Sequence, residues 1–255
     1  MESEPDTSSV TACVCIVTPM QIECIPICQA LSLQRDGDVW HGQMGPLAIV
    51  AAVCGIGQTV ATSRIEQLIN QYKPTRLLLT GFAGGLSEEV DIGWVLTADI
   101  IANEAGERLK LTDRPPEPIS ETPAGSRTIL TSDQLIDSPQ RKQALHQKHG
   151  AVAVDMESFA IARLAEERCI PLTMTRAISD RASEALPAWT QTCVNPDGSS
   201  RVASTAAKAI IMPWRIPTLL RLQRNSKVAG EALAYWVEGK LSQWAATLDK
   251  TLDDE

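Results

Sequence analysis

Apolar residues recur in short blocks separated by polar segments that carry glycine or proline, the pattern of buried strands bounded by turns. Val10 to Val17 is the first block, and Thr18-Pro19-Met20 leads from it into a helix beginning near Gln21. Asp38 to Val53 reads as two strands joined at Met44-Gly45-Pro46, a hairpin signal. Gly55-Ile56-Gly57 then opens a stretch of helical periodicity from Gln58 to Tyr72. Lys73-Pro74 closes it, and Arg76 to Leu79 is a strand that delivers a glycine turn, Thr80 to Gly85. Such turns expose amides that can hold polar oxygens. Gly93-Trp94 starts a strand to Ile101, the proline-rich residues 103 to 126 predict a long loop, and Ser126 to Leu130 predicts another strand. Ser138-Pro139 is a capped helix start, and that helix ends at Gly150 with His146 and His149 expected as exposed helix-end residues.

Residues 152 to 182, VAVDMESFAIARLAEERCIPLTMTRAISDRA, read as strand, helix, strand with acids at both turns. Ala160, Ile161, Leu164 and Ala165 form an apolar stripe, and Glu157 at its head is expected to point inward at a helix N-terminus, where the backbone dipole favours an anion. Arg176 lies inside the apolar strand that follows and needs an acceptor if buried. Ser179-Asp180 falls at that strand's carboxyl end, where open α/β sheets hold their ligands. Beyond an irregular stretch from 181 to 200 with a turn at Asn195-Pro196-Asp197-Gly198, helices are expected over 201–212 and about 225–250, with a short basic and apolar piece between them. The expected fold is α/β, a twisted central mixed, largely parallel sheet flanked by helices, with a helical C-terminal tail. Residues 1–9 are expected as a disordered tail and 10–255 as one domain.

A net charge of −8 argues against a nucleic-acid groove, which needs clustered Lys and Arg, and favours a small-molecule partner. The acidic N-terminus lacks the signature of a signal peptide, and no apolar run approaches a membrane span. Seven cysteines, among them Cys13, Cys15, Cys54 and Cys169 in or beside apolar runs, fit buried reduced thiols and a cytoplasmic protein. Cys24 and Cys28 stand one helical turn apart, but the three histidines are distant in sequence, so no metal is expected, and no cofactor is called for.

DMES, followed about twenty residues later by RAISD, resembles the signature of the purine nucleoside phosphorylase and methylthioadenosine/S-adenosylhomocysteine nucleosidase superfamily. The resemblance implies cleavage of an N-glycosidic bond. A purine leaves poorly unless protonated, and the sugar passes through an oxocarbenium-like state that water must capture; positioned acids and bases each contribute roughly 10² to 10⁴ in rate. On this likeness Glu23, in Met20 to Glu23, is the base that activates water, Asp180 protonates the purine ring, and Arg176 helps orient the water. Glu157 binds the ribose hydroxyls with Met156 under the sugar, and Ser179, Gly57, Phe82, Ala83 and Gly84 belong to the same substrate site. TSDQLI resembles the segment lining the base pocket; Leu135 stands where relatives carry a stacking phenylalanine, with Ile136 beside it. The family's glycine segment usually reads TGSAGG, whereas this chain has TGFAGG, and Thr18 to Cys24 lacks the arginine of phosphate-dependent relatives. Both departures favour hydrolysis over phosphorolysis.

The C-terminal half narrows the likeness. VDMESFAIARLAEE, RAISDRASEALP, NPDG and PTLLRLQRNSKVAGEAL together resemble the hopanoid-associated branch, which is implied to remove adenine from adenosylhopane, a lipid-linked nucleoside. Residues 210–227 interleave Ile210, Trp214, Ile216, Leu219, Leu220 and Leu222 with Arg215, Arg221, Arg224 and Lys227, which suits an apolar 5′ pocket, peripheral contact with an anionic membrane, or an ordinary helix pair. The alternatives are a methylthioadenosine/S-adenosylhomocysteine nucleosidase, a phosphorylase, or a nucleoside-binding protein without catalysis. The superfamily also implies a homo-oligomer.

Overall fold

The computed structural model describes residues 12–111, 127–187, 195, 197–199 and 216–253. The expected N-terminal tail, most of the proline-rich loop, the helix expected over 201–212 and residues 210–215 of the basic, apolar stretch lie outside the described residues.

One eleven-stranded sheet forms the middle layer. Its centre is four mutually parallel strands in the order β4 (Leu47–Val53), β1 (Ala12–Thr18), β5 (Arg76–Gly85) and β11 (Leu172–Asp180). These strands are apolar on both faces because both faces are covered, as parallel sheets require. Cys15, Val17, Val50, Ala52, Leu77 and Leu79 face α2 (Gln58–Tyr72) and α4 (Ser158–Glu167) in one core. Their sequence neighbours Val14, Ile16, Ile49, Ala51 and Leu78 face α1 (Gln21–Ala30) and α5 (Ile216–Asp253) in the other. The two cores therefore divide along the period-two alternation of each strand.

Antiparallel pairs close the rest. β2 (Gln34–Asp36), β3 (Val39–Met44) and β4 form a meander through the expected turn at Met44-Gly45-Pro46. β6 (Val95–Thr97) pairs antiparallel with β11 on the far side. β7 (Ile100–Asn103), β9 (Thr128–Thr131) and β10 (Ala153–Asp155) are parallel to one another, and β10 joins the centre antiparallel to β5, through Gly84 and Gly85 only.

That short antiparallel junction decides where the DMES segment goes. β5 ends at the functional edge, and β10 runs back along its last two residues. Asp155 consequently emerges near the ends of β1, β5 and β11 although its strand runs against β5. The meeting of the motifs does not need every strand to be parallel.

Several expectations are corrected. The stretch expected as a strand from Gly93 to Ile101 is two strands, β6 and β7. The first part of the long loop forms β8 (Arg108–Lys110), a hairpin partner of β7. Arg108 donates to the His149 carbonyl at the end of α3 (Pro139–His149), and His149 is buried at 9% exposure rather than exposed. Cys169, expected to be buried, is exposed beyond the end of α4. The basic, apolar piece and the last helix are one element: Pro217 falls in the first turn of α5, where a missing N–H costs nothing. No helix among the described residues is long and apolar enough to cross a membrane.

Candidate active site

A cavity of about 750 Å³ opens at the carboxyl ends of β1, β5, β10 and β11. Of the residues singled out from the sequence, Glu23, Phe82, Ala83, Gly84, Leu135, Ile136, Met156, Glu157, Ser179 and Asp180 line it. Arg176 stands behind the wall, fully buried, and Gly57 is one layer away.

Glu23 sits at the third position of α1, where its side chain reaches back to the helix start: Oε2 accepts from the Met20 amide at 2.7 Å, as in a capping box. Oε1 accepts from the Phe82 amide at 2.6 Å. The segment read as a glycine turn is in fact the end of β5, still paired with β11, and this amide holds a protein carboxylate. Gly81 has to be glycine because a Cβ there would come within 2.6 Å of Arg176 Nη1 and 3.0 Å of Glu23 Oε1. Burial pushes the Glu23 carboxyl up to about 8, against the pull of Arg176 and the two amides. A carboxyl that titrates near neutrality suits proton abstraction.

Glu157 is the N-cap residue of α4 and points inward as expected. Its Oε1 accepts from the Gly57 amide at 2.8 Å, so the second glycine segment also holds a carboxylate through its backbone. Gly57 has φ of 87°, open to glycine and strained for other residues. Burial, with the charge of Asp155 added, raises Glu157 to about 7.

Arg176 finds its acceptor in Asp155, which the sequence marked as a turn acid without assigning it this task. Nε donates to Asp155 Oδ2 at 2.8 Å and Nη2 to Ser158 Oγ at 2.9 Å, while Glu157 Oε2 lies 4.0 Å from Nη2. Asp155 also accepts from Thr131 Oγ1 at 2.9 Å and from the Ser158 hydroxyl. Nη1 is buried without a hydrogen-bond partner among the described residues, beside Gly81 and Glu23. A buried donor left open next to a near-neutral carboxyl is a place for a polar oxygen of a ligand or water.

Asp180 has a different surrounding. Ser179 Oγ donates to its Oδ1 at 2.8 Å, and the Nζ of Lys142 stands 2.5 Å from its Oδ2. Lys142 is fully buried and also donates to the carbonyls of Arg181 at 2.6 Å and Glu184 at 3.1 Å. Burial raises the Asp180 carboxyl and Lys142 opposes the rise. Sequence reasoning missed Lys142. It sits in PQRKQALHQKH, a helix of polar composition that presents no signal of a buried charge.

The remaining wall mixes apolar residues with the polar Asp133, Gln134, Asp137 and Asn195. Leu135, Ile136 and Val154 stand near Met156, and Leu186 and Leu222 close another part of the cavity. Leu222 and Ser226 come from the first turns of α5, held there by close packing of Gly230 against Pro26 and Phe82. The basic cavity residue Arg141 and the buried Arg176 and Lys142 stand against six carboxyl groups, Glu23, Asp133, Asp137, Asp155, Glu157 and Asp180.

The sequence model of the phosphorylase superfamily matches residues 14–211. The chain belongs to this superfamily. A 5′-methylthioadenosine/S-adenosylhomocysteine nucleosidase of Lysinibacillus sphaericus is 26% identical over 160 residues, covering 53% of this chain and 70% of that protein. One from Staphylococcus aureus is 28% identical over 158 residues, with 53% and 69% covered. Among solved structures, native futalosine hydrolase of Helicobacter pylori superposes with a TM-score of 0.66 at 17% identity, covering 91% of this chain and 98% of that one. Arabidopsis thaliana 5′-methylthioadenosine nucleosidase gives 0.63 at 19%, with 92% and 96% covered. These superpositions establish a shared fold, the mixed sheet between helices with a C-terminal helix.

Proposed function

We propose that this member of the phosphorylase superfamily is a nucleosidase: it hydrolyses the N-glycosidic bond of an adenosine with a 5′ substituent, in the manner of methylthioadenosine/S-adenosylhomocysteine nucleosidases, and releases adenine. The observation that carries the reading is the presence in one cavity of two buried carboxyls with unlike partners, Glu23 beside an open arginine N–H and Asp180 beside a lysine. The sequence relatives bearing that name favour the small soluble substrates.

In this mechanism water sits between Glu23 and Arg176 Nη1. Glu23 takes its proton as the C1′–N9 bond lengthens, Glu157 holds the ribose hydroxyls over Met156, and Asp180 delivers a proton to the purine. Leu135 and Ile136 form the apolar wall against the base. Hydrolysis is favoured over phosphorolysis because Arg176 and Lys142 already have carboxylate partners and are not free to hold a phosphate dianion.

A second reading has its own support. Leu222 of α5 lines the cavity with Leu186, and the same end of that helix carries exposed Ile216 and Leu220 beside Arg221. A long apolar 5′ group, as in adenosylhopane, would follow that path toward an anionic membrane surface. Adenine release from methylthioadenosine and from adenosylhopane, each with and without phosphate, tests both. Release from methylthioadenosine, indifferent to phosphate, is expected; release from the lipid nucleoside alone would move the enzyme to the hopanoid branch. Release from neither would leave a binding protein.

A further inference from the structure

Among the described residues Lys142 and Arg176 are the fully buried cations, and Lys142 does not line the cavity. Its ammonium has three protons and three acceptors: one carboxylate oxygen of Asp180 and the carbonyls of Arg181 and Glu184. All three acceptors come from the end of β11 and the turn after it, whereas Lys142 comes from the first turns of α3. Burying a lysine this completely carries a large desolvation cost, which a surface tether for a turn would avoid. A neutral side chain or a backbone contact would be enough to hold Arg181 and Glu184.

We infer that Lys142 is a positioning residue for the leaving-group step, one that aims Asp180 and stabilises the carboxylate left when its proton passes to the purine. The inference rests on the nucleosidase reading above. As the C1′–N9 bond breaks, its electron pair moves onto the purine, and the proton of the Asp180 carboxyl goes to the ring nitrogen that has become basic. Asp180 is left as an anion at 4% exposure. Lys142, already at Oδ2, meets that charge without reorganising, and preorganised groups of this kind act most strongly on charge that develops in the transition state. Oδ1 faces Ser179, whose hydroxyl is also within 3.3 Å of the Ala83 carbonyl and can turn there when Oδ1 bears the proton. Gly84 leaves room for this carboxyl, since a Cβ there would lie 3.2 Å from Oδ2.

The test separates leaving-group chemistry from folding. Wild type and Lys142→Met are compared on methylthioadenosine and on p-nitrophenyl 5-methylthioriboside, whose nitrophenolate departs without being protonated. Lys142→Met is expected to lose about 10²-fold in kcat on the adenine nucleoside and to stay within about threefold on the nitrophenyl riboside. In an Asp180→Asn background the same substitution is expected to cost nothing further on the nitrophenyl riboside. Should Lys142→Met not fold, Lys142→Gln keeps donors for the Arg181 and Glu184 carbonyls and is expected to show the same split. Equal losses on the two substrates, or no loss on either, would overturn the inference while leaving the nucleosidase reading intact. A wild-type protein inert toward both substrates would overturn that reading and this inference with it.

Discussion

The two carboxyls proposed to do the chemistry are buried to nearly the same degree, Glu23 at 1% exposure and Asp180 at 4%, yet the protein partners them in opposite ways. Glu23 is held by backbone amides, and its cation, Arg176, is committed to Asp155. Asp180 has a lysine of its own. An amide fixes a carboxylate in place without supplying a full charge, so burial dominates and Glu23 rises to about 8. A buried ammonium opposes burial and stabilises the anion that an acid becomes after it has acted. The same side-chain chemistry is thereby divided into a base with high proton affinity and an acid whose conjugate base is supported.

The largest effect that would break this comparison is in catalysis. Asp180→Asn should lower adenine release by about 10² to 10⁴ but leave the nitrophenyl riboside nearly untouched. Glu23→Gln should lower both by a similar factor, because water must be activated whatever group leaves. Steady-state kcat on the two substrates decides it. A Glu23→Gln enzyme that discriminated between leaving groups as Asp180→Asn does would erase the assigned division.

The next effect is on folding and concerns the cation on the Glu23 side. Asp155→Ala removes the acceptor of Arg176 Nε and of Thr131, and leaves a fully buried guanidinium with only Glu157, at 4.0 Å, as a carboxylate partner. Breaking a buried pair on one side costs about 3 to 5 kcal/mol. Denaturant melts should show that loss; a cost under about 1 kcal/mol, typical of a surface pair, would mean that Arg176 is not held as described.

How far these features could be read from the sequence follows from where their partners lie. Glu157 and Asp180 each end or follow an apolar run, so pattern put them at strand ends, while Glu23, just past the first strand, was singled out by the family resemblance. Arg176 in LTMTRAISD announced a need for an acceptor, but nothing in the sequence named Asp155, 21 residues earlier, as that acceptor. Lys142 gave no such sign: its partner is 38 residues away, and a lysine in a polar helix reads as solvated. His149 misled for the same reason. It ends a helix, but a strand from the expected loop, β8, reaches it through Arg108. Local pattern shows which residues are near a strand end; it does not show which distant element will pack over a helix.

The smallest effect is a slope of stability with pH, to which Glu23, Glu157 and Asp180, all raised by burial, contribute with the same sign. Glu23 is raised from 4.5 to about 8 on folding, and Glu157 from 4.5 to about 7. Between those limits the folded chain binds protons that the unfolded chain has released, so stability declines as pH rises. The contribution is fully present below about 4.5 and is lost through about 8; at 1.36 kcal/mol per pKa unit, the Glu23 part of the loss between pH 6 and pH 8 is roughly 2 kcal/mol. Many proteins lose stability toward acid, whereas this site pulls the other way. The ligand-free protein should therefore melt several degrees lower at pH 8 than at pH 6, and Glu23→Gln, which keeps the shape and removes the titration, should flatten that difference. An unchanged slope in Glu23→Gln would place the titration on Glu157 and Asp180, and would remove the reason for treating Glu23 as a base poised near neutrality.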